Sequence, residues 1–397
     1  MALLQLAAQG QQDAMLTGEP SHSFFRSVYR KPTPFATEFR DQVFAGNAGW
    51  GKRAVVTVSR LGDLVHTCLL QATFKKTGAT FYPIEALVTN VELQIGGIKI
   101  DSMDGTWFRV FDELYRDEDQ RQAYREMADF SSDQVGTTKT LLLPLLFFFN
   151  RSMSHALPLI ALSLQEVDII FTFADSVDGV DMSVEPNPRL VCEYIYLSPT
   201  ERRLMASTRH TFLIEQLQTI RSPIEVKTEE TQRRVDLNFN HPCKALVWTF
   251  VHPSKHGVFT GSGEGLEYSE LCGPMKTAKL LVNNLERCEA RPGSWYRIVD
   301  SFARNRQIPS VGIYSINFCL GPGDCTKPSG SLNLSRVDAA LHLTTKKVVP
   351  GATRVSVLDE DSETIPGAAA LDTVRIYAQT WNQLLLHNGM AGLRWTN

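Results

Sequence analysis

The sequence predicts an all-β chain with two cores, and three observations carry that expectation. Period-two alternation of apolar and polar residues recurs from about residue 54 to residue 380, helical periodicity is confined to a few short segments, and the chain is 397 residues long. A single hydrophobic core stops growing near ~250–300 residues, so a chain of this length is expected to divide into two domains.

The first clear element is a hairpin. Val91, Leu93 and Ile95 alternate with Glu92 and Gln94, Gly96-Gly97 intervenes, and Ile98 and Ile100 alternate with Lys99. The two glycines tolerate the positive φ that a tight primed turn demands. Further half-buried strands are expected at Val167, Ile169, Phe171 and Phe173, and at Leu246, Trp248 and Phe250. Tyr314, Ile316 and Phe318 mark another, as do Val337, Ala339, Leu341 and Leu343. Short strands repeated between turn residues suggest sandwiches or barrels. Trp107, Val110, Phe111 and Leu114 stand at i, i+3, i+4 and i+7, which predicts a helix, and the charged run RDEDQRQAYRE follows. Asp112 with Arg116 and Asp117 with Arg121 are spaced for i, i+4 pairing on a solvated face. A second helix is expected from Pro199, capped by Ser198. It sits at the midpoint, after a strand from Leu190 to Leu197, and the domain boundary is placed near residues 200 to 215. VCEYIYLSPTERRLM and VRIYAQTWNQLLL close the two halves in a similar way, weak support for a duplication.

Composition excludes several functions. With 40 Lys+Arg against 43 Asp+Glu the net charge is −3, so no whole-chain field exists to hold a polyanion, and genome packaging is disfavoured. Seven scattered cysteines (Cys68, Cys192, Cys243, Cys272, Cys288, Cys319 and Cys325) contain no C-x-x-C pair and read as reduced core thiols. The opening MALLQLAAQGQQD lacks the basic and apolar regions of a secretory signal, so synthesis in a reducing compartment is expected. The longest apolar run, Leu141 to Phe149, is far short of the ~20 residues of a membrane span.

No motif in the sequence carries a complete catalytic or ligand-binding pattern. Gly46 to Arg53 fits the first seven positions of a phosphate-binding G-x-x-x-x-G-K-[ST] loop, but Arg53 replaces the hydroxyl residue and a strand-like AVVTVS follows, so a glycine-rich turn is expected there. Gly261-Ser262-Gly263-Glu264-Gly265 has an acidic residue that would repel phosphate, and reads as an exposed loop tip. His241, Cys243, His252 and His256 could be imagined around zinc, yet no close ligand pair is present; surface histidines and a buried cysteine are expected instead. There is no H-x-H, no nucleophile elbow and no H-E-x-x-H. The acidic group Asp112, Glu113, Asp117, Glu118 and Asp119 is expected on a solvated helix face rather than in a carboxylate pair. Asn150-Arg151-Ser152 and Asn333-Leu334-Ser335 fit the N-glycosylation pattern but lie beside strand-like sequence, and secretory-pathway glycosylation is not expected at either. No catalytic, cofactor-binding or metal-binding residue is therefore assigned.

Laid end to end, the motifs resemble the major capsid proteins of the nucleocytoplasmic large DNA viruses. Gln12-Asp13, Leu16-Thr17-Gly18, Pro20, Phe24-Phe25 and Tyr29-Arg30 are similar to that family's N-terminal signature. PLLFFFNRSMSHALPLIALSLQEVDIIF (144–171) resembles its central block, and YIYLSPTERRLMASTRHTFLIEQLQ (194–218) its domain junction. Asn240-His241-Pro242, Pro328-Ser329-Gly330 with Ser335-Arg336-Val337-Asp338, and the ending Asn388-Gly389-Met390-Ala391-Gly392-Leu393 complete the series in the family's order. Pro32, Pro34 and the loop Cys319 to Thr326 depart from the family pattern, and the chain looks short, which implies trimmed outer loops.

The resemblance implies a double jelly roll: an arm at residues 1–25 beneath the capsomer, a first roll at 26–205 and a second at 206–397. It implies a non-enzymatic subunit without cofactors that forms homotrimeric, pseudo-hexameric capsomers tiling an icosahedral shell. The implied partners are the chain itself, minor capsid and penton proteins, and an internal membrane reached by the arm, with no direct nucleic-acid binding. The implied location is the virion, after assembly in the host cell. Two alternatives stand beside this reading: a minor or penton-like capsid component, and a β-sandwich carbohydrate-binding protein using some of the 21 Phe, 10 Tyr and 6 Trp as stacking platforms.

Overall fold

The computed structural model describes residues 7, 19–21, 23–25 and 31–395, except 79–81, 131–132, 227–228, 252–274, 306, 310–311, 350–363 and 367–369. The expected arm, the glycine cluster at 261–265, His252, His256 and Cys272 fall wholly or almost wholly outside the described residues. Residues 36–397 form one compact unit and residues 1–35 are a separate one.

Eight strands in the first half form the paths of two sheets, and the two-residue strand Leu157–Pro158 pairs with Leu64–Val65 off those paths. The eight are β1 (Phe35–Gln42), β2 (Arg53–Thr57), β3 (Leu64–Lys75), β4 (Val88–Ile95), β5 (Ile98–Met103), β6 (Thr138–Pro144), β7 (Val167–Phe173) and β8 (Arg189–Leu197). One sheet runs β1-β8-β3-β6 and the other β2-β7-β4-β5. The second half supplies β9 (His210–Val226), β10 (Gln232–Asp236), β11 (Pro242–Val251), β12 (Met275–Val282), β13 (Leu285–Glu286), β14 (Ile313–Asn317), β15 (Ala339–Thr345) and β16 (Ala370–His387). Its sheets run β9-β16-β11-β14 and β10-β15-β12-β13. Adding eight to every label of the first half reproduces the second. Each order is that of a jelly roll; in the second half short strands at Arg291–Pro292, Leu332–Asn333 and Met390–Leu393 extend the sheets off these paths, and Lys347–Val349 pairs with Thr364–Pro366 apart from them. Even a register shift recurs, between Val65 and Cys68 on β3 and between Cys243 and Ala245 on β11, each against the last strand of its roll.

The predicted elements take their places. Gly96 (φ 57°) and Gly97 (φ 79°) close the β4–β5 hairpin with Ile95 opposite Ile98. Val167, Ile169, Phe171 and Phe173 of β7 all face the first core, opposite Cys68, Leu70, Ala72 and Phe74 of β3. Leu246, Trp248 and Phe250 of β11 meet Leu341 and Leu343 of β15 in the second core. Two short helices, α1 (Pro83–Leu87) and α2 (Gly105–Tyr115), precede α3 (Glu118–Ala128); α4 (Pro199–Ser207) links β8 to β9, with the Ser198 hydroxyl accepting from Glu201 N at 3.4 Å. No helix among the described residues is long and apolar enough to cross a membrane.

The two halves differ in one respect. β11 is buried along almost its entire length on both faces. Val247, Ile313 and Tyr377 point away from the second core and join the first core's apolar cluster, as do Ile214 and Leu217 of β9. The β9-β16-β11-β14 sheet is thus covered on its outer face by the first half of the chain.

The seam between the rolls as candidate functional site

The two rolls are joined along a seam of buried polar contacts. Asp104 is the centre of that joint. Its carboxylate caps α2 by accepting from Trp107 N at 3.1 Å, because an Asp in extended backbone just before the helix can satisfy an orphan amide. The same carboxylate accepts from Tyr377 Oη at 2.9 Å, from Arg375 Nη1 at 3.0 Å and from Arg221 Nη2 at 3.4 Å. One side chain of the first roll thereby ties its own helix to β9 and β16 of the second. Burial holds the Tyr377 phenol well above its ordinary pKa. The rings of Trp107 and Tyr377 stand 5.0 Å apart, and Tyr115 Oη donates to Gln379 Oε1 at 2.9 Å.

Alongside, edge strand β5 meets edge strand β9. Asp101 Oδ1 accepts from Leu217 N and from Ser102 N, each at 2.9 Å, and the Gln216 amide donates to the Ile100 carbonyl. These bonds satisfy edge groups that would otherwise invite another strand. Burial pushes the Asp101 carboxyl up to about 7 against two backbone donors. An open cleft of about 610 Å³ flanks this contact, lined by Lys99, Asp101, Asp104, Gln218 and Arg221 among others.

Further along, Glu215 of β9 is shared by two cations. Arg151, which follows a helical turn at Phe148–Asn150, pairs with one carboxylate oxygen and Lys244 of β11 with the other. All three side chains are buried, and burial lowers the Lys244 pKa more than Glu215 restores it. Two cations against one anion leave a positive excess, which the carbonyls of Pro322 (2.6 Å from Lys244 Nζ) and Gly323 (3.2 Å from Arg151 Nη2) absorb.

One expectation fails nearby. Asp112 and Glu113 do not lie on a solvated face; both are fully buried, whereas Asp117, Glu118 and Asp119 are exposed. Glu113 pairs with Arg109 at 2.7 Å and Arg121 at 2.8 Å, and Asp112 with Arg116 at 3.5 Å. The helical spacing made the Asp112–Arg116 pair legible, but not the Arg109–Glu113 pair, nor that α3 folds back so that Arg121, expected to pair with Asp117, reaches into the same cluster and donates to Gln307 of the second half at 2.7 Å. Burial raises the neighbouring Glu85 carboxyl to about 8, with Tyr124 Oη donating to it. Three arginines neutralise this cluster, which has the composition of a structural clamp.

The remaining candidates stay apart. Gly49 and Gly51 abut the carboxylates of Glu185 and Asp175, which would oppose a phosphate, and Arg53 opens β2 directly. His241 is buried rather than superficial, held at φ 69° with its amide donating to Ser335 Oγ, and Cys243 Sγ turns to the Ala245 carbonyl. Among the described residues no group of three metal-ligating side chains converges. The six described cysteines are free thiols; Cys288 and Cys325 are half-buried rather than in the core, and Cys68 and Cys192 approach to 3.6 Å. The Asn150 amide donates to the His66 carbonyl, while Asn333 is exposed and accepts from Ser335 N.

Comparison with known proteins agrees with this architecture. Residues 23–198 match the model of the major capsid protein N-terminus, and residues 201–392 that of the large eukaryotic DNA virus major capsid protein. The major capsid protein of Paramecium bursaria Chlorella virus 1 is 36% identical across 100% of this chain and 99% of its own length. That of Pyramimonas orientalis virus is 32% identical over the same shares. A chain from a quasi-atomic model of the PBCV-1 virus capsid superposes with a TM-score of 0.86 at 33% identity, covering 94% of this chain and all of the other. The Faustovirus major capsid protein shares the fold, with a TM-score of 0.69 at 12% identity over 97% and 96% of the two chains. The chain, a double jelly roll, belongs to the major capsid protein family of the large eukaryotic DNA viruses.

Proposed function

We propose that the chain is the major shell subunit of its virus, forming homotrimers whose six jelly rolls give a pseudo-hexagonal capsomer for an icosahedral capsid. The observation that carries this reading is the repetition of one strand order in two rolls that are bonded through Asp104 and Glu215 into one body. Rigid coupling matters because a shell transmits stress through each subunit, and a hinge between rolls would let the lattice angle drift. A near-neutral net charge of −3 suits a protein packed against many copies of itself.

Within this reading residues 26–205 and 206–397 are the two rolls, divided inside the α4 link. Residues 1–25 are an arm beneath the capsomer that contacts neighbours, minor capsid and penton proteins or an internal membrane. The subunit has no catalytic, metal or cofactor site and is carried in the virion after assembly in the host cell. Gel densitometry of purified virions tests it: the protein should dominate the stained pattern, whereas a copy number of a few dozen would assign it to a minor or vertex component.

A further inference from the structure

The two rolls share a segment as well as a topology. Gly105-Thr106-Trp107-Phe108-Arg109-Val110-Phe111-Asp112-Glu113-Leu114-Tyr115-Arg116 is matched by Gly293-Ser294-Trp295-Tyr296-Arg297-Ile298-Val299-Asp300-Ser301-Phe302-Ala303-Arg304. Glycine, tryptophan, both arginines and the aspartate recur, and most other positions keep their type. Both copies lie between the fifth and sixth strands of their roll and are helical, as α2 in the first and over 295–304 in the second. Phe108 and Tyr296 occupy the same position, each buried in its own core.

Their outer faces have opposite fates. In the first roll Trp107 packs on Tyr377 and Tyr115 bonds Gln379, so α2 covers the outer face of the β9-β16-β11-β14 sheet. In the second roll the counterparts of Trp107, half-buried Phe111 and buried Leu114 are open: Trp295 is 42% exposed, Val299 40% and Phe302 83%, an apolar stripe at i, i+4 and i+7. The sheet equivalent to the covered one, β1-β8-β3-β6, is open too. Leu190 and Cys192 face the core, so Arg189 and Val191 face out, and the Arg189–Asp41 pair at 3.9 Å places Asp41 and Phe39 on that same outer face. Phe39 is 55% exposed, and Leu69, Gln71 and Val191 are only half-buried, whereas Val247, Thr249 and Tyr377 on the covered sheet are fully buried.

We infer that the 295–304 helix of one copy docks on the outer face of the β1-β8-β3-β6 sheet of a second copy, repeating between chains the contact that α2 makes within one. This deepens the capsomer reading and rests on it. The donor and receiver are different surfaces, so the contact is head-to-tail, and such contacts close into a ring when the rotation divides the circle. Alternating internal and external versions of one contact would carry three chains round six rolls. The apolar stripe supplies the aromatic anchors typical of interface hot spots.

Phe302→Asp and Phe39→Asp test the two sides separately by mass photometry or light scattering across a concentration series. Both residues are exposed, so the monomer's circular-dichroism melt should be unchanged, which separates lost assembly from lost folding. Each variant should raise the concentration at half-assembly by roughly 30-fold or more, on hot-spot magnitudes. Leu164→Asp, an exposed apolar site in the turn before β7 and outside both faces, should assemble as the unmodified chain does. Trimers that persist in both variants, or a Leu164→Asp effect of the same size, would overturn this interface while leaving the capsomer reading intact. A monomeric unmodified chain would instead overturn the capsomer reading itself.

Discussion

Replacing Glu215 by Gln removes the one anion from a buried site that holds Arg151 and Lys244. The change is nearly isosteric, so packing is kept and the electrostatic loss stands alone. Two buried cations would then rely on the carbonyls of Pro322, Gly323 and Asp324. Breaking a buried pair by deleting one partner costs about 3–5 kcal/mol, because the other charge stays desolvated. For a chain of 397 residues, unfolding entropy of ~2.1 cal/mol/K per residue makes this a fall in Tm of about 4–6 °C. Lys244→Met gives the internal control: it removes the excess cation, leaves the Arg151–Glu215 pair balanced and fills the space, so its loss should be smaller. Scanning calorimetry at pH 7 reads both. A Glu215→Gln variant within about 1 °C of the unmodified protein, or one milder than Lys244→Met, would refute the assignment of the seam as an electrostatic lock.

Other expectations follow from the same geometry. Asp101 has an ordinary value of 3.8 and sits at about 7 when folded, so the folded chain holds a proton that the unfolded chain has released. Its contribution is complete below pH 3.8 and is lost as the pH rises through 7. Asp101→Asn keeps an oxygen for Leu217 N and Ser102 N, and should flatten the urea-midpoint profile across that window and raise stability at pH 8 by up to about 4 kcal/mol. An unaltered pH profile would count against it. Asp104→Ala strips the α2 cap, worth about 1 kcal/mol, and also leaves the Tyr377 hydroxyl without its acceptor and Arg375 with Thr106 but no carboxylate, so its urea midpoint should fall well beyond a cap deletion alone. Gly105→Ala would drive a Cβ into the backbone carbonyls of Glu85 and Val88, the latter at 2.6 Å; soluble yield should collapse, and a well-folded Gly105→Ala variant would contradict the packing of α1 on α2.

Much of the fold was legible in the sequence because most strands bury one face. The β4–β5 hairpin, β7 and β15 follow the alternation, and the Ser198 cap and Trp107 helix stand where spacing put them. The seam was less legible for a physical reason. A sheet covered on both faces has no polar alternate, so VRIYAQTWNQLLL reads as mixed apolar sequence, and β11 shows its inward residues without revealing that Val247 and Thr249 are equally buried. Asp112 and Glu113 misled because helical spacing cannot tell a solvated ion pair from one buried by a second helix. The signal in the sequence for the proposed interface is the recurrence of G-[TS]-W-[FY]-R-[VI]-x-D. It lies 188 positions apart and spans only a dozen residues, too short to stand out before the strand orders of the two rolls were aligned.

The proposed capsomer requires two rolls in one chain to act as a rigid third of a six-roll ring. Single-particle imaging of the purified protein at micromolar concentration tests it most directly. Class averages should show a closed, six-lobed outline containing three copies of the 44.4 kDa chain. Two-lobed particles of a single chain, or pairs of lobes at variable separation, would contradict it.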